Sequence, residues 1–213
     1  MRSDPAVARE RVNPWLVLVV GYLVLGVGIS LMLHGNVGVA SWEVVTDALI
    51  GLGLSPGFAV LGSFALAILL GLSLGVRPRP STLVGMLLPA LVVEVLLRGL
   101  PSAWAGSYVT LVVGALILGV GVGTYLHAGL GAAPGDLPFV GLLRRGFGRT
   151  TGKVTADASV TVLGWIAGGT VALGTILIVV IVGPVVACTT RVLTAWTDRR
   201  HPTPAVSVGR PTD

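Results

Sequence analysis

An all-α membrane protein, with six transmembrane helices arranged as two inverted three-helix repeats, is the fold that the sequence predicts. Three observations predict it. Of 213 residues, 54% are hydrophobic and only 11% charged, with a mean hydropathy of +0.93, whereas soluble domains carry about 25% charged residues. The chain repeats itself at an offset of 93 residues. Its basic residues are confined almost entirely to short hydrophilic segments between or beyond the apolar stretches. The net charge of +5 therefore reads as a topology signal, and nucleic-acid binding, which needs a basic face on a soluble fold, is excluded.

Six apolar segments are long enough to cross about 30 Å of hydrocarbon. They run from about 15 to 33, 58 to 76, 81 to 98, 107 to 126, 154 to 171 and 174 to 193. Residues 1–14 precede the first as a cytoplasmic segment. Arg2, Arg9 and Arg11 ahead of the run from Trp15 to Leu33 resemble a secretory signal. The run is longer than a signal core, however, and a close copy reappears in mid-chain, so it is read as an uncleaved span. Arg77-Pro78-Arg79-Pro80 separates the second and third segments, because proline ends helices and arginine resists burial. Gly168-Gly169 and Leu173-Gly174 divide the fifth from the sixth and predict a hairpin there. A single helix over both would be about 60 Å long, twice the bilayer requirement. The first repeat is placed at 15–100, the second at 101–193, and a disordered cytoplasmic tail at 194–213, Pro-rich and polar from His201 onward.

The repeat places Leu18 to Ala40 on Leu111 to Ala133 with thirteen of twenty-three positions identical. Membrane composition explains shared Leu and Val. It does not explain Gly21/Gly114, Gly26/Gly119, Gly28/Gly121, His34/His127 and Gly38/Gly131 together, and duplication follows. Thr82/Thr175 and Arg98/Arg191 extend the match across the membrane region, with a small indel allowed between. Three spans per repeat is an odd number, so the second copy enters the membrane from the opposite side. With the N-terminus inside, thirteen of fourteen basic residues fall on the cytoplasmic side, and only Arg98 falls outside. A bacterial inner membrane with both termini in the cytoplasm is the expected location.

Between the first and second spans of each repeat lies a segment too long for a turn and too short for a span. Ser41 to Ile50 and Asp136 to Arg145 are each read as a short helix, with Ser41 and Asp136 as N-caps and Gly51, Gly53 and Gly146 as terminators. Such helices lie at the interface or dip back into the membrane.

The pattern of a glycine-rich helix, a Gly-x-Ala-Pro-Trp-Asp variant, a short helix and two further spans resembles the YczE-like bacterial membrane protein family, related to YitT-type proteins. It stands here as Gly38-Val39-Ala40-Ser41-Trp42-Glu43 and Gly131-Ala132-Ala133-Pro134-Gly135-Asp136, followed by Gly164 to Gly169 and Gly174-Thr175. Ser41 and Glu43 occupy the places of proline and aspartate in that pattern. The resemblance runs from about Trp15 to Arg191 and implies a fold and a membrane location. It implies no substrate.

Few residues carry chemistry. His34 and His127 end the first and fourth spans, where an imidazole pair could relay protons or bind a ligand. Inversion puts them near opposite faces, which favours interfacial hydrogen bonds to loop carbonyls. Glu43 and Asp136 are also equivalent, and helix capping is the favoured role for both. Asp157 lies one turn into the fifth segment, where a carboxylate is costly, and Lys153 stands four residues earlier on the same face. Glu94 and Arg98 form a similar pair in the third segment. Cys188 stands alone, so no intramolecular disulfide, CxxC pair or thiolate metal cluster is available. Gly148 to Val154 matches a phosphate loop only in passing, because it lacks the hydroxyl residue after the lysine and a preceding strand. No cofactor, metal site or catalytic set is implied, and the chain is not read as an enzyme.

Two readings of function follow. The first is a transporter or permease for a small solute or ion, with its site at the repeat interface. Asp157 is its candidate coupling residue, and His34, His127, Glu43 and Asp136 lie in the flanking elements. The second is a membrane scaffold that binds a membrane or cytoplasmic protein through its basic cytoplasmic loop. Lipid is a partner in either case, and the sequence leaves the oligomeric state open.

Overall fold

The computed structural model describes residues 13–200, with side chains through Thr197. The predicted N-terminal segment up to residue 12 and the Pro-rich tail from His201 lie outside the described residues.

All regular structure among the described residues is helical. The elements are α1 (Pro14–Gly35), α2 (Ser41–Gly51), α3 (Pro56–Ser73), α4 (Pro80–Gly99), α5 (Tyr108–Ala128), α6 (Leu137–Arg144), α7 (Arg149–Ile166) and α8 (Leu173–Arg200). Single-turn 3-10 helices at Ser102–Trp104 and Pro134–Asp136 precede α5 and α6. Proline opens α1, α3 and α4, where its fixed φ suits the first turn and its missing N–H costs nothing. The Asn13 side chain accepts from Trp15 N at the start of α1, and Ser107 does the same for Thr110 N at the start of α5.

Five helices are long and apolar enough to cross a membrane: α1, α3, α4, α5 and the Leu173–Thr197 part of α8. The fifth predicted segment differs. It was placed at 154–171 by its apolar residues, but α7 starts five residues earlier at Arg149 and ends at Ile166. Gly168, at φ +97°, lies just beyond that end. The shift brings Arg149 and Lys153 onto the helix together with Asp157 and several threonines, and α7 falls outside the apolar set. At the other end of the chain, α8 continues to Arg200, past the predicted limit of the sixth segment at 193.

The bundle is organised on α1 and α5, which run antiparallel. Gly21 lies against Tyr125, Leu25 against Gly121, Gly28 against Leu118 and Gly35 against Leu111. A Cβ on Gly28 would stand 2.5 Å from Leu118 N, so only glycine permits the two backbones to approach this closely. Leu18, Tyr22, Ile29 and Met32 on α1 form the core with Leu111, Ala115 and Leu118 on α5. Outside this pair, α4 packs on α1 and α8 on α5. The short α2 packs on α3 and α7, and α6 packs on α3 and α7. α3 also packs extensively on α4, whereas α7 and α8, which separate between Ile166 and Leu173 where the sequence divides the fifth segment from the sixth, make at most sparse contact.

Two links shape the turns that lead into the short helices. Gly38 (φ +129°) and Gly131 (φ +141°) adopt backbone conformations that L side chains rarely adopt. Each is also crowded by a helix start, since a Cβ would meet Thr175 N at 2.5 Å from Gly38 and Ser81 Oγ at 3.0 Å from Gly131. Hydrogen bonds fix the same junctions: Gly174 N donates to Val37 O at 3.0 Å, and Ser81 Oγ donates to Leu130 O at 3.0 Å.

Candidate functional site

A cavity of about 780 Å³ lies between α1, α2, α5, α7 and α8, together with the 3-10 turn at Pro134–Asp136. That volume is typical of small-molecule sites. Most of its wall is apolar, with Leu25 and Ile29 from α1, Leu118 and Val122 from α5, and Ile178 and Val182 from α8. One corner is polar and gathers Glu43, Tyr125, Asp136, Lys153 and Asp157.

The corner is built from four elements. Lys153 and Asp157 are one turn apart on α7, and Lys153 Nζ reaches Asp157 Oδ1 at 3.1 Å. The same ammonium donates to Asp136 Oδ1 at 3.4 Å, and Tyr125 Oη donates to Asp136 Oδ2 at 2.8 Å. Asp136 therefore sits at the N-cap position of α6 without capping it, because both its oxygens face Lys153 and Tyr125. Ser41 likewise does not cap α2: the N-cap position is Ala40, and no side-chain cap is made. The capping role expected of Asp136 is corrected accordingly. Glu43 occupies the first turn of α2, where a carboxylate complements the helix dipole, but its side chain lines the cavity.

Glu43 is the most enclosed of the acids, at 7% exposed. Among the described residues, no side chain or backbone group of another residue hydrogen-bonds or ion-pairs with it within the usual distances. It lies outside the spans, and burial pushes its carboxyl up to about 7. The smaller influences oppose one another: its own backbone N–H lowers it, the Asp157 charge raises it, and the Lys153 charge lowers it.

Aromatic rings frame the corner. Trp42 Nε1 donates to Gly135 O at 2.9 Å, and Lys153 Nζ stands 6.0 Å from the centre of the Phe139 ring. Tyr22 stacks on Tyr125 with ring centroids 5.0 Å apart. The Tyr22 hydroxyl is buried and has no hydrogen-bond partner among the described residues.

The predicted site residues divide into two groups. Glu43, Asp136 and Asp157 come together in one cavity. His34 and His127 do not join them: His34 Nε2 lies 2.9 Å from Pro101 O, and His127 pairs with the hydroxyls of Thr197 and Thr194 on α8. Glu94 is committed elsewhere. Besides pairing with Arg98, it accepts from Ser55 Oγ at 2.8 Å and Gly57 N at 2.7 Å and so caps α3. Sequence reasoning missed Tyr125 and Trp42 as site residues and missed the link from Lys153 to Asp136. Lys153 and Asp136 are 17 positions apart, a spacing that no periodicity makes visible, whereas Trp42 stands within the Gly38-to-Glu43 motif, which is the signal that could have found it. Among the described residues, no group of three His, Cys, Asp or Glu side chains is placed to hold a metal ion.

Comparison with known proteins places the chain among membrane proteins. It is 30% identical over 186 residues to the "Uncharacterized membrane protein YczE" of Bacillus subtilis (strain 168), covering 82% of this chain and 84% of that one. It is 29% identical over 178 residues to an "Uncharacterized protein" of Haemophilus influenzae, covering 80% of each. No solved structure matches. The family model described as a family of unknown function, DUF6198, matches residues 12–191. With that match covering nearly all the membrane helices, and with the YczE identity beside it, the chain belongs to the YczE-like DUF6198 family of membrane proteins.

Proposed function

We propose that this chain is an inner-membrane permease for a small solute, built as six spans in two inverted three-helix repeats with both termini in the cytoplasm. The observation that carries this reading is the cavity of about 780 Å³, enclosed by elements of both repeats and holding charged side chains inside an otherwise apolar wall. Carriers built from inverted repeats put their substrate at this interface, where short or interrupted helices meet. Intramembrane charge of this kind marks a pathway more often than a structural need.

The repeat reading is supported by contacts that recur at the offset of 93. Gly21 meets Tyr125 and Gly114 meets Met32; Gly28 meets Leu118 and Gly121 meets Leu25. Gly26 packs on Val92 and Gly119 on Val185; Gly71 packs on Leu137 and Gly164 on Val44. Three of these pairs cross between the repeats, and adding 93 to one member while subtracting it from the other turns the first contact into the second; the Gly26–Val92 contact lies within one repeat and becomes Gly119–Val185 when 93 is added to both members. The offset holds from Gly21 to Val92 without the small indel that the sequence allowed. In this arrangement α7, the counterpart of α3, is the fifth span in chain order and completes the six. Its charges are tolerated because Lys153 and Asp157 face the cavity and pair there.

The scaffold reading draws no comparable support. Arg144 and Arg145, the centre of the basic loop, are turned onto the chain's own carbonyls at Gly75 and Ser73. Flux tests the permease directly. Purified protein in proteoliposomes is expected to move at least one class among panels of cations, amino acids and drugs, with or without a proton gradient. No flux across those panels would count against it.

A further inference from the structure

We propose that the cavity binds a lipophilic monocation, an ammonium-type charge on an apolar body, which enters from the bilayer between α7 and α8 and displaces a proton from Glu43. The proposal rests on the permease reading for the cavity's role, but not on flux.

Charge balance selects the sign of the ligand. Three carboxylates, Glu43, Asp136 and Asp157, share the corner with one ammonium, Lys153. Lys153 is already held between Asp136 and Asp157, so it is not free to receive an anion or the carboxylate of a zwitterion. The groups facing Glu43 are Lys153 and Asp157 from α7, Asp136 from the turn before α6 and Tyr125 from α5; α1 and α8 contribute only apolar or glycine residues to the cavity. Even with Glu43 protonated the corner keeps one net negative charge, and the acid left without a partner residue is Glu43, which is more than nine-tenths buried and aimed into the cavity. A buried carboxylate in this setting is neutralised either by a proton or by a bound cation. The exchange balances as the protonated Glu43 plus the organic cation giving the carboxylate–cation pair plus one released proton.

The apolar wall selects the ligand's body. Beyond the polar corner the lining is mostly aliphatic, and the aromatic side chains of Phe64, Phe139 and Trp42 add to a wall that suits an organic body. The sparse packing between α7 and α8 selects the route. Their counterparts α3 and α4 close against each other, whereas Val179 on α8 both lines the cavity and is 70% exposed. Such an opening, in the second turn of the apolar part of α8, gives onto lipid, the phase in which a lipophilic cation is concentrated.

Full-length protein in phosphatidylcholine nanodiscs, titrated with radiolabelled tetraphenylphosphonium and with its isosteric anion tetraphenylborate, tests the proposal. The cation should bind saturably at one per chain. Its affinity should rise by about tenfold or more between pH 5.5 and 8, with release of up to one proton per cation in weak buffer. Glu43→Gln should abolish the pH dependence and weaken binding by about tenfold, Glu43→Asp should restore part of both, and Ile178→Trp should block the apolar wall. Absence of saturable binding, equal binding of the anion, or unchanged pH dependence in Glu43→Gln would overturn the proposal. A second copy seated between α7 and α8 would exclude the probe and would overturn it in the same way. Cation binding without flux in proteoliposomes would remove the permease reading alone, whereas flux of neutral or anionic solutes without cation binding would remove this inference alone.

Discussion

Trp42 and Gly135 are 93 positions apart, and they touch: the indole N–H of Trp42 donates to the Gly135 carbonyl at 2.9 Å. Residues at the same place in two repeats meet only next to the axis that relates them. The contact therefore sits beside the pseudo-two-fold of the proposed arrangement, at the edge of the cavity, and the difference in residue type makes it asymmetric. A tryptophan at 135 would need the space that the Trp42 indole already fills, since a Cβ on Gly135 would lie 2.8 Å from Trp42 Cδ1.

That contact gives the first prediction. Trp42→Phe removes the donor and leaves the Gly135 carbonyl short of a partner, at a cost of about 1–2 kcal/mol. Gly135→Ala forces the indole aside by steric conflict. Thermal unfolding in detergent should show each single variant destabilised and the double variant less destabilised than the sum, because both act on one contact.

The close approach of α1 and α5 gives the second. Gly28→Val and Gly121→Val each drive a side chain into the opposite backbone, at Leu118 and Leu25 respectively. Both variants should lose folded yield to a similar degree, because the two contacts are counterparts. Gly183→Ala, with nothing within 4 Å of its added Cβ, should accumulate and melt like the parent. Size-exclusion profiles of the three variants check this.

Much of this packing was legible in the sequence. The glycines shared at 21/114, 26/119 and 28/121 are the residues that meet across α1/α5, α1/α4 and α5/α8. Their recurrence, rather than hydrophobicity, carried the information, because α1, α4, α5 and α8 are all apolar. Both short helices were legible for a similar reason, since a segment between apolar runs with glycine terminators allows few alternatives. The extent of α7 was not legible, because its first turns are polar and gain their place by packing against α2 and α6. The partners of Asp136 were hidden too. At the start of a short helix a carboxylate reads as a cap, and only the fold brings Tyr125 and Lys153 to its oxygens.

Lys153 gives the third prediction. It neutralises Asp136 as well as Asp157, so exchanging the pair as Lys153→Asp with Asp157→Lys should rescue only in part, since the exchange brings two carboxylates close together near Tyr125. Lys153→Met should be the most damaging single change in the corner, because it leaves three acids without a cation. Asp157→Asn, which keeps the Lys153–Asp136 contact, should be milder. Ranking the three by thermal stability checks the claim. Full rescue by the exchange would return Lys153 and Asp157 to a simple interfacial pair.

The buried carboxyl of Glu43 gives the fourth. Its folded value is raised, from 4.5 to about 7, so between those values the folded state holds more proton than the unfolded state. Stability from this group therefore falls as pH rises through that window and stays reduced above it. Glu43→Gln should leave stability near the parent's at pH 4.5 and raise it at pH 8, by at most about 3 kcal/mol. Melting curves at the two pH values check the sign, and an equal effect at both would show that burial of the charge is not the cause.

Six spans in two inverted repeats is the central claim, and α7 is where it is most exposed to test, because among the long helices α7 is the one without a stretch long and apolar enough to cross a membrane by composition. Single cysteines in a Cys188→Ser background, probed in intact cells with a membrane-impermeant maleimide, measure it. Asp47 is a poor reporter because its carboxylate is engaged by Thr170 N; Leu52, 71% exposed at the end of α2, serves for that loop. The account predicts that Leu52→Cys, Ser102→Cys and Val171→Cys label from outside, whereas Arg77→Cys and Arg145→Cys label only after the membrane is opened. Labelling of the Arg145 and Val171 positions from the same side would mean that α7 does not cross, and would contradict the inverted arrangement.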